Sequence, residues 1–371
     1  MSAAKVALGR RLFFDSRLSG NGTQACVSCH QPAIAFTDGR ARAEGSTGEP
    51  HARSAMSLAN VAYSVSLTWA DPRLTTLEEQ ALVPMFNTHP VELGMAGHEG
   101  EVLARLADDE RYRAAFGAAF PEEAGPGTAG LVTTSQVAKA IASFARTLLS
   151  GDAPYDRLVY KDDRSSLSDS AWRGMTLFFS DRVHCSTCHA GFTVSGPVTY
   201  EGAPPAEPVF HNTAVHSAAA LSSSVADRGL AAVTGRPEDT GRFRAPTLRN
   251  IAKTAPYMHD GSIATLEEVL SHYAAGGRGG FSPWRSPLLT GFTLTGGEVR
   301  DLLAFLESLT DEEFLGREAV LRTTYDPAGA FSVSRPRLHT MAAKAAAARP
   351  SSPQPSSVSP KTILPMPKRA E

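Results

Sequence analysis

The chain has 371 residues, 42% of them hydrophobic and 20% charged, with a formal net charge of −2. That length allows two domains with cores of their own, and so even a charge balance gives no pull toward nucleic acid or an anionic membrane. No apolar run reaches the 18 or so residues of a membrane span, and Met1-Ser2-Ala3-Ala4-Lys5 lacks the apolar core of a signal peptide, so any secretion signal is expected to have been removed.

In chain order, the first feature is an apolar block, Gly9-Arg10-Arg11-Leu12-Phe13-Phe14-Asp15, followed by Cys26-Val27-Ser28-Cys29-His30. A long helix is expected after it, capped by Thr134 or Ser135, with Val137, Ile141, Phe144 and Leu148 at helical spacing and an end near Gly151. Asp152-Ala153-Pro154-Tyr155 reads as a turn and marks a domain boundary. A second block, Arg173-Gly174-Met175-Thr176-Leu177-Phe178-Phe179, precedes Cys185-Ser186-Thr187-Cys188-His189 and suggests a duplicated unit. Residues 195–242, rich in Gly, Pro, Ser and Ala, read as mostly loop. A helix is expected from Thr265, where Glu268 completes a capping box, and another from about Thr295, with Glu298 three residues on. The expected division is 1–151, 152–328 and a disordered Ala/Pro/Ser-rich tail, 329–371.

The chain's 4 cysteines all fall inside the two Cys-x-x-Cys-His segments. A c-type haem needs two thiols for thioether bonds and a histidine for the iron, and each segment supplies all three. A split zinc site would have to join distant motifs, and a redox dithiol does not require a trailing histidine. Cys26, Cys29, Cys185 and Cys188 are therefore expected to attach two haems, with His30 and His189 on the irons.

With these motifs in view, the sequence resembles the bacterial di-haem cytochrome c peroxidase superfamily, which includes MauG. The resemblance runs over about residues 5–315 and rests on an ordered set of segments. These are Leu8 to Asp15, Cys26 to His30, Trp69 followed by Leu77-Glu78-Glu79-Gln80-Ala81, and Pro90-Val91-Glu92-Leu93-Gly94. Then come Cys185 to His189, Phe243-Arg244-Ala245-Pro246-Thr247-Leu248-Arg249-Asn250 and Thr254-Ala255-Pro256-Tyr257-Met258-His259-Asp260-Gly261. Met56 to Tyr63 is most similar to the MbnH-like branch, whose members pair with small copper-binding proteins. The resemblance implies a mostly α fold, with two cytochrome-c-like domains and the haems near their interface.

It also implies residue roles. Trp69 resembles the tryptophan between the haems, whose oxidisable indole carries charge. Glu92 and Gln80 match the polar residues of the peroxide pocket, a carboxyl for proton transfer and an amide to hold peroxide, with Pro84 and Met85 lining it. Tyr273 occupies the position of the second haem's sixth ligand, where the peroxidases proper have methionine; Met258 is the competing donor. A hard phenolate suits highly oxidised iron, whereas a thioether favours the reduced state. His259 and His272 are expected near the haem or exposed. His51 is the one candidate for a distal histidine on the first haem, and an open iron is expected instead. Ser54, Thr254 and Pro256 match a calcium site, with serine in place of the family's asparagine. Val183 stands where MauG has a surface tryptophan.

The expectation is therefore an enzyme in which hydrogen peroxide generates a high-valent, bis-Fe(IV)-like state that oxidises a Trp or Tyr of a partner protein. One alternative is a conventional peroxidase drawing electrons from a small cytochrome c or cupredoxin; another is a non-catalytic di-haem electron carrier. Covalent haem attachment points to the periplasm.

Overall fold

The computed structural model describes residues 1–123, 132–223 and 226–316; the 329–371 tail lies outside the described residues. The helices are α1 (Ala3–Phe14), α2 (Cys26–Cys29), α3 (Leu77–Phe86), α4 (Glu99–Ala107), α5 (Glu110–Ala119), α6 (Thr134–Ala145), α7 (Pro154–Lys161) and α8 (Asp169–Phe178), followed by α9 (Ala218–Leu221), α10 (Ala231–Thr234), α11 (Leu266–Ala274) and α12 (Gly296–Glu307). The small sheet pairs β1 (Phe210–His211) antiparallel with β2 (Phe243–Arg244), Phe210 opposite Arg244. The architecture is mostly α, as expected, and 195–242 holds only short elements. No described helix is long and apolar enough to cross a membrane.

Capping chemistry sets the helix starts. The Thr265 and Thr295 hydroxyls accept from Glu268 N and Glu298 N, and both capping boxes close. The cap of α6 is Thr133, one residue before the expected pair, because Gln136 lies three residues on and reaches back to the Thr133 amide. The same helix stops at Ala145 rather than near Gly151. Leu148 keeps the apolar spacing and is fully buried, but it sits in the irregular segment beyond the helix.

Among the described residues the apolar side chains gather in two large cores and a smaller cluster of Val61, Leu67, Leu77, Ala142 and Ala145. The first gathers Leu8, Leu12 and Phe13 of α1, Val137, Ile141 and Phe144 of α6, and Phe314 and Leu315 from the far end of the described chain. The second gathers Phe178 of α8, Leu270 of α11 and Leu302, Phe305 and Leu306 of α12. Burying such side chains stabilises by about 1.5–3 kcal/mol each.

The duplication goes beyond the Leu-Phe-Phe blocks. At Gly9 on α1 an added Cβ would lie 1.8 Å from Ala140 O on α6; at Gly174 on α8 it would lie 1.8 Å from Asp301 O on α12. Both glycines let two helix backbones touch. Further on, Leu58-Ala59-Asn60-Val61-Ala62 and Leu248-Arg249-Asn250-Ile251-Ala252 form a second matched pair. Asn60 and Asn250 adopt left-handed backbone, φ 58° and 59°, each before a short 3-10 helix. The Asn60 amide N–H donates to Leu148 O and its side chain bridges Ser150 N and O; the Asn250 amide N–H donates to Leu309 O and its side chain accepts from Asp311 N. Each asparagine thus ties down the chain that leaves a helix, Asn60 after α6 and Asn250 after α12.

Candidate haem centres

The first motif forms a single turn. Both cysteines lie on α2, and His30 closes it by donating its backbone N–H to Cys26 O. His30 Nδ1 lies 2.9 Å from Phe36 O. A carbonyl only accepts, so Nδ1 carries the proton and Nε2 keeps its lone pair, the form that binds iron. His189 repeats this with Nδ1 3.3 Å from Val194 O. The acceptors, Phe36 and Val194, both have positive φ, 61° and 47°, a strained conformation for such side chains that aims each carbonyl at its ring. Sequence reasoning missed this pair; the signal was a large apolar residue five or six positions past each histidine. Burial pushes His189 down to about 4 and Cys26, Cys29 and Cys185 up to about 12. The imidazole is thus neutral and the thiols protonated.

Glu92 faces the first motif, close enough for its charge to raise both the Cys26 and Cys29 thiols. Burial pushes its carboxyl up to about 7, against a hydrogen bond from the Asn87 side chain. Leu93 N donates to Pro84 O and Met95 N to Met85 O, seating the Glu92 segment along the end of α3. Gln80 stands one helical turn before Pro84, on the same face. His51 Nε2 lies 3.9 Å from Glu92 Oε1, and its Nδ1 accepts from Arg53 N at 3.1 Å. An accepting Nδ1 carries no proton, so the proton of the neutral ring sits on Nε2. That tautomer is a donor toward Glu92 and has no Nε2 lone pair for iron.

The second motif opens into a cavity of about 1450 Å³ counting the open space at its mouth. Cys185, Cys188 and His189 line it with Trp69, Arg244, Met258 and Tyr273. Tyr273 is half-buried in the cavity wall, and burial followed by the adjoining Cys188 and Cys185 thiols raises its hydroxyl pKa. Tyr273 and Met258 thus both reach this cavity. His259 and His272 are buried rather than exposed; the His272 ring is satisfied at both ends, Nε2 by Thr213 O at 2.9 Å and Nδ1 by Arg278 N at 3.2 Å. Val183 is buried in the cavity wall.

Trp69 also lines a second cavity, of about 780 Å³, and donates from Nε1 to Ser54 O at 3.0 Å. Ser54, Thr254 and Pro256 share that second cavity, and Ser54 Oγ donates to Met258 O at 3.1 Å.

Arg244, another residue the sequence reading did not single out, lines both cavities. Its Nε donates to Thr68 O at 3.2 Å, and one terminal nitrogen lies 3.5 Å from Met56 Sδ. Among the described residues no carboxylate pairs with it, and burial pulls its guanidinium down to about 10. A half-buried guanidinium that lines two cavities without a carboxylate partner is placed to meet an anion. Haem carries two propionates, so this orphaned cation, the paired thiols and the oriented imidazoles fit a c-type haem.

Comparison with known proteins agrees. Residues 3–164 match the family model described as di-haem cytochrome c peroxidase. The chain is 36% identical to cytochrome-c peroxidase IdrP1 of Denitromonas iodatirespirans, over 84% of this chain and 83% of that protein. It is 34% identical to methylamine utilization protein MauG of Methylorubrum extorquens, over 84% and 80%. A solved MauG-like protein associated with microbial copper homeostasis superposes with TM-score 0.80 at 42% identity, covering 85% of this chain and 91% of that one. Motifs, folded haem cradles and relatives together place this chain in the di-haem cytochrome c peroxidase/MauG family of haem peroxidase-type oxidoreductases, which carry two c-type haems and act on hydrogen peroxide with a protein partner.

Proposed function

We propose that the chain uses hydrogen peroxide to oxidise a tryptophan or tyrosine of a partner protein, with its two haem motifs in unequal roles. The haems, when bound, supply a peroxide-reactive iron and a second iron that stores oxidising equivalents. The protein's share is acid–base, positioning and conduction. Glu92 takes a proton from one oxygen of peroxide and returns it to the other, so that water leaves. Gln80 holds the peroxide by hydrogen bonds, and Pro84 and Met85 wall the pocket. Trp69, in the wall of both cavities, is the path for charge, and Tyr273 is the oxygen donor at the second centre. The partner residue loses two electrons, and these with two protons reduce peroxide to two waters.

The observation that carries this reading is that Tyr273 lines the larger cavity together with Cys185 and Cys188. A phenolate oxygen favours oxidised iron; the thioether of Met258 favours reduced iron and would suit a conventional peroxidase fed by a cytochrome c or cupredoxin. The test compares the resting diferric holoprotein with Tyr273→Phe and Met258→Leu by electron paramagnetic resonance and Mössbauer spectroscopy. We expect the second-haem signals to change in Tyr273→Phe and to persist in Met258→Leu; the reverse pattern overturns the proposal. Two six-coordinate irons inert to peroxide would mark an electron carrier.

The copper-homeostasis relative supports a small copper-binding protein as partner, and covalent haem attachment supports the periplasm. The two units are taken to divide at residue 151, into 1–151 and 152–328. Calcium is proposed in the second cavity, on Ser54 Oγ and the Thr254 and Pro256 carbonyls, with water completing the shell.

A further inference from the structure

Beside the larger cavity, His216, His259 and Asp260 offer metal-ligating atoms that lie within 4.8 Å of one another. His259 is 5% exposed, and its Nε2 is buried with no hydrogen-bond partner. Leaving such a group unmet costs about 1–3 kcal/mol, which points to a partner outside the chain. Asp260 Oδ1 accepts from Ser262 N at 3.1 Å, and Oδ2 faces His216 Nε2 at 2.9 Å. The two imidazoles stand nearly perpendicular, 84° apart with centroids at 5.6 Å, and His259 is stacked at 3.7 Å on Phe243. The His216 side chain is 38% exposed and opens the group to solvent. The neighbouring Arg53 is held in a two-point ion pair by Asp227, at 2.7 and 2.9 Å, which offsets its repulsion of a cation.

We propose that His216, His259 and Asp260 bind one borderline divalent cation, Zn²⁺ or Cu²⁺, distinct from the haem irons and from calcium. Two imidazoles with one carboxylate suit these ions rather than calcium or magnesium. Tetrahedral ligands about 2.0–2.2 Å from an ion stand about 3.3 Å apart, so the widest pair closes by about 1.5 Å at most. Three protein ligands leave a fourth position for water on the His216 side. His259 also lines the larger cavity, so a bound cation puts positive charge beside the second haem.

The test uses the di-haem holoprotein, freed of loosely held metal by a chelator, returned to calcium-containing buffer and titrated with ZnCl₂ by calorimetry. Metal content is read by mass spectrometry with iron as the internal standard. We expect one Zn²⁺ for every two irons, with affinity about tenfold or more weaker in His216→Ala, a change at a half-exposed side chain that leaves the cores intact. Failure of the wild type to bind zinc, or equal affinity in His216→Ala, overturns the proposal. So does a zinc-soaked holoprotein crystal in which His259 Nε2 donates to a haem propionate and no anomalous peak stands beside Asp260.

Discussion

Glu92 gives the proposed chemistry a pH signature. An exposed glutamate titrates near 4.5 and would be ionised throughout the neutral range, so its action as a base would not vary there. Burial pushes Glu92 up to about 7, and the ionised form is the one that accepts a proton. With a midpoint near 7, the active fraction is about one in eleven at pH 6, one half at pH 7 and ten in eleven at pH 8, so the rate of reaction with peroxide rises about tenfold from pH 6 to 8. The groups facing Glu92 do not supply the same slope. Burial and then Arg53 pull His51 downward, away from the alkaline half of this range; Cys26 and Cys29 carry no charge once joined to haem; Asn87 does not titrate. Stopped-flow mixing of the diferric holoprotein with peroxide measures the profile. Glu92→Gln should lower the rate about 10²–10⁴-fold and flatten what remains. A flat wild-type profile over this range, or a tenfold rise surviving in Glu92→Gln, refutes the argument.

Other outcomes follow from the packing. Gly174→Ala drives a Cβ to 1.8 Å from Asp301 O and should destabilise the holoprotein by about 1–3 kcal/mol, read as a lower thermal midpoint. Gly117→Ala, on α5 with nothing within 4 Å, should instead gain up to about 1 kcal/mol of helix propensity; equal midpoints would refute the tight crossing. Asn250→Ala loses buried hydrogen bonds, at about 1–3 kcal/mol for each group left unmet, and places alanine at positive φ, so its urea midpoint should fall well below that of the wild type. His51→Gln should leave the resting spin state of the first haem unchanged in electron paramagnetic resonance, because Nδ1 already accepts from Arg53 N; a change from low to high spin would show that His51 binds the iron.

Much of the candidate site was legible because its chemistry is written in contiguous residues. Cys-x-x-Cys-His encodes a haem cradle within one turn, and the Thr265 and Thr295 capping boxes announce α11 and α12. The same rule would have named Thr133 for α6, since Gln136 rather than any residue after Thr134 or Ser135 completes its box. The far end of α6 was not legible. Leu148 keeps the apolar period, so a helix through 148 and a helix followed by an irregular segment look alike in sequence, and the hydrogen bonds that hold that segment come from Asn60, about 90 residues away. Arg244, Phe36 and Val194 escaped for a similar reason. A half-buried arginine and a carbonyl acceptor gain meaning only when folding sets them beside a cavity or an imidazole.

The matched glycines, motifs, acceptors and asparagines change how the asymmetry between the two centres is understood. Gly9 and Gly174, Phe36 and Val194, and Asn60 and Asn250 are duplicated because each builds the same part: a tight helix crossing, an oriented proximal histidine, a tie on the chain that leaves a helix. What differs between the halves lies outside those parts. Glu92 comes from the segment seated on α3, whereas Tyr273 comes from α11 and Met258 from the loop before it. The helices themselves are matched as well: α3 and α11 both open on Thr-Leu-Glu-Glu, with Thr76 and Thr265 capping Glu79 N and Glu268 N, and Tyr273 stands at the position on α11 that Pro84 holds on α3. Exchanging the proposed chemistry between the centres would therefore require changing single positions on a shared frame and the Glu92 segment after α3, not the motifs.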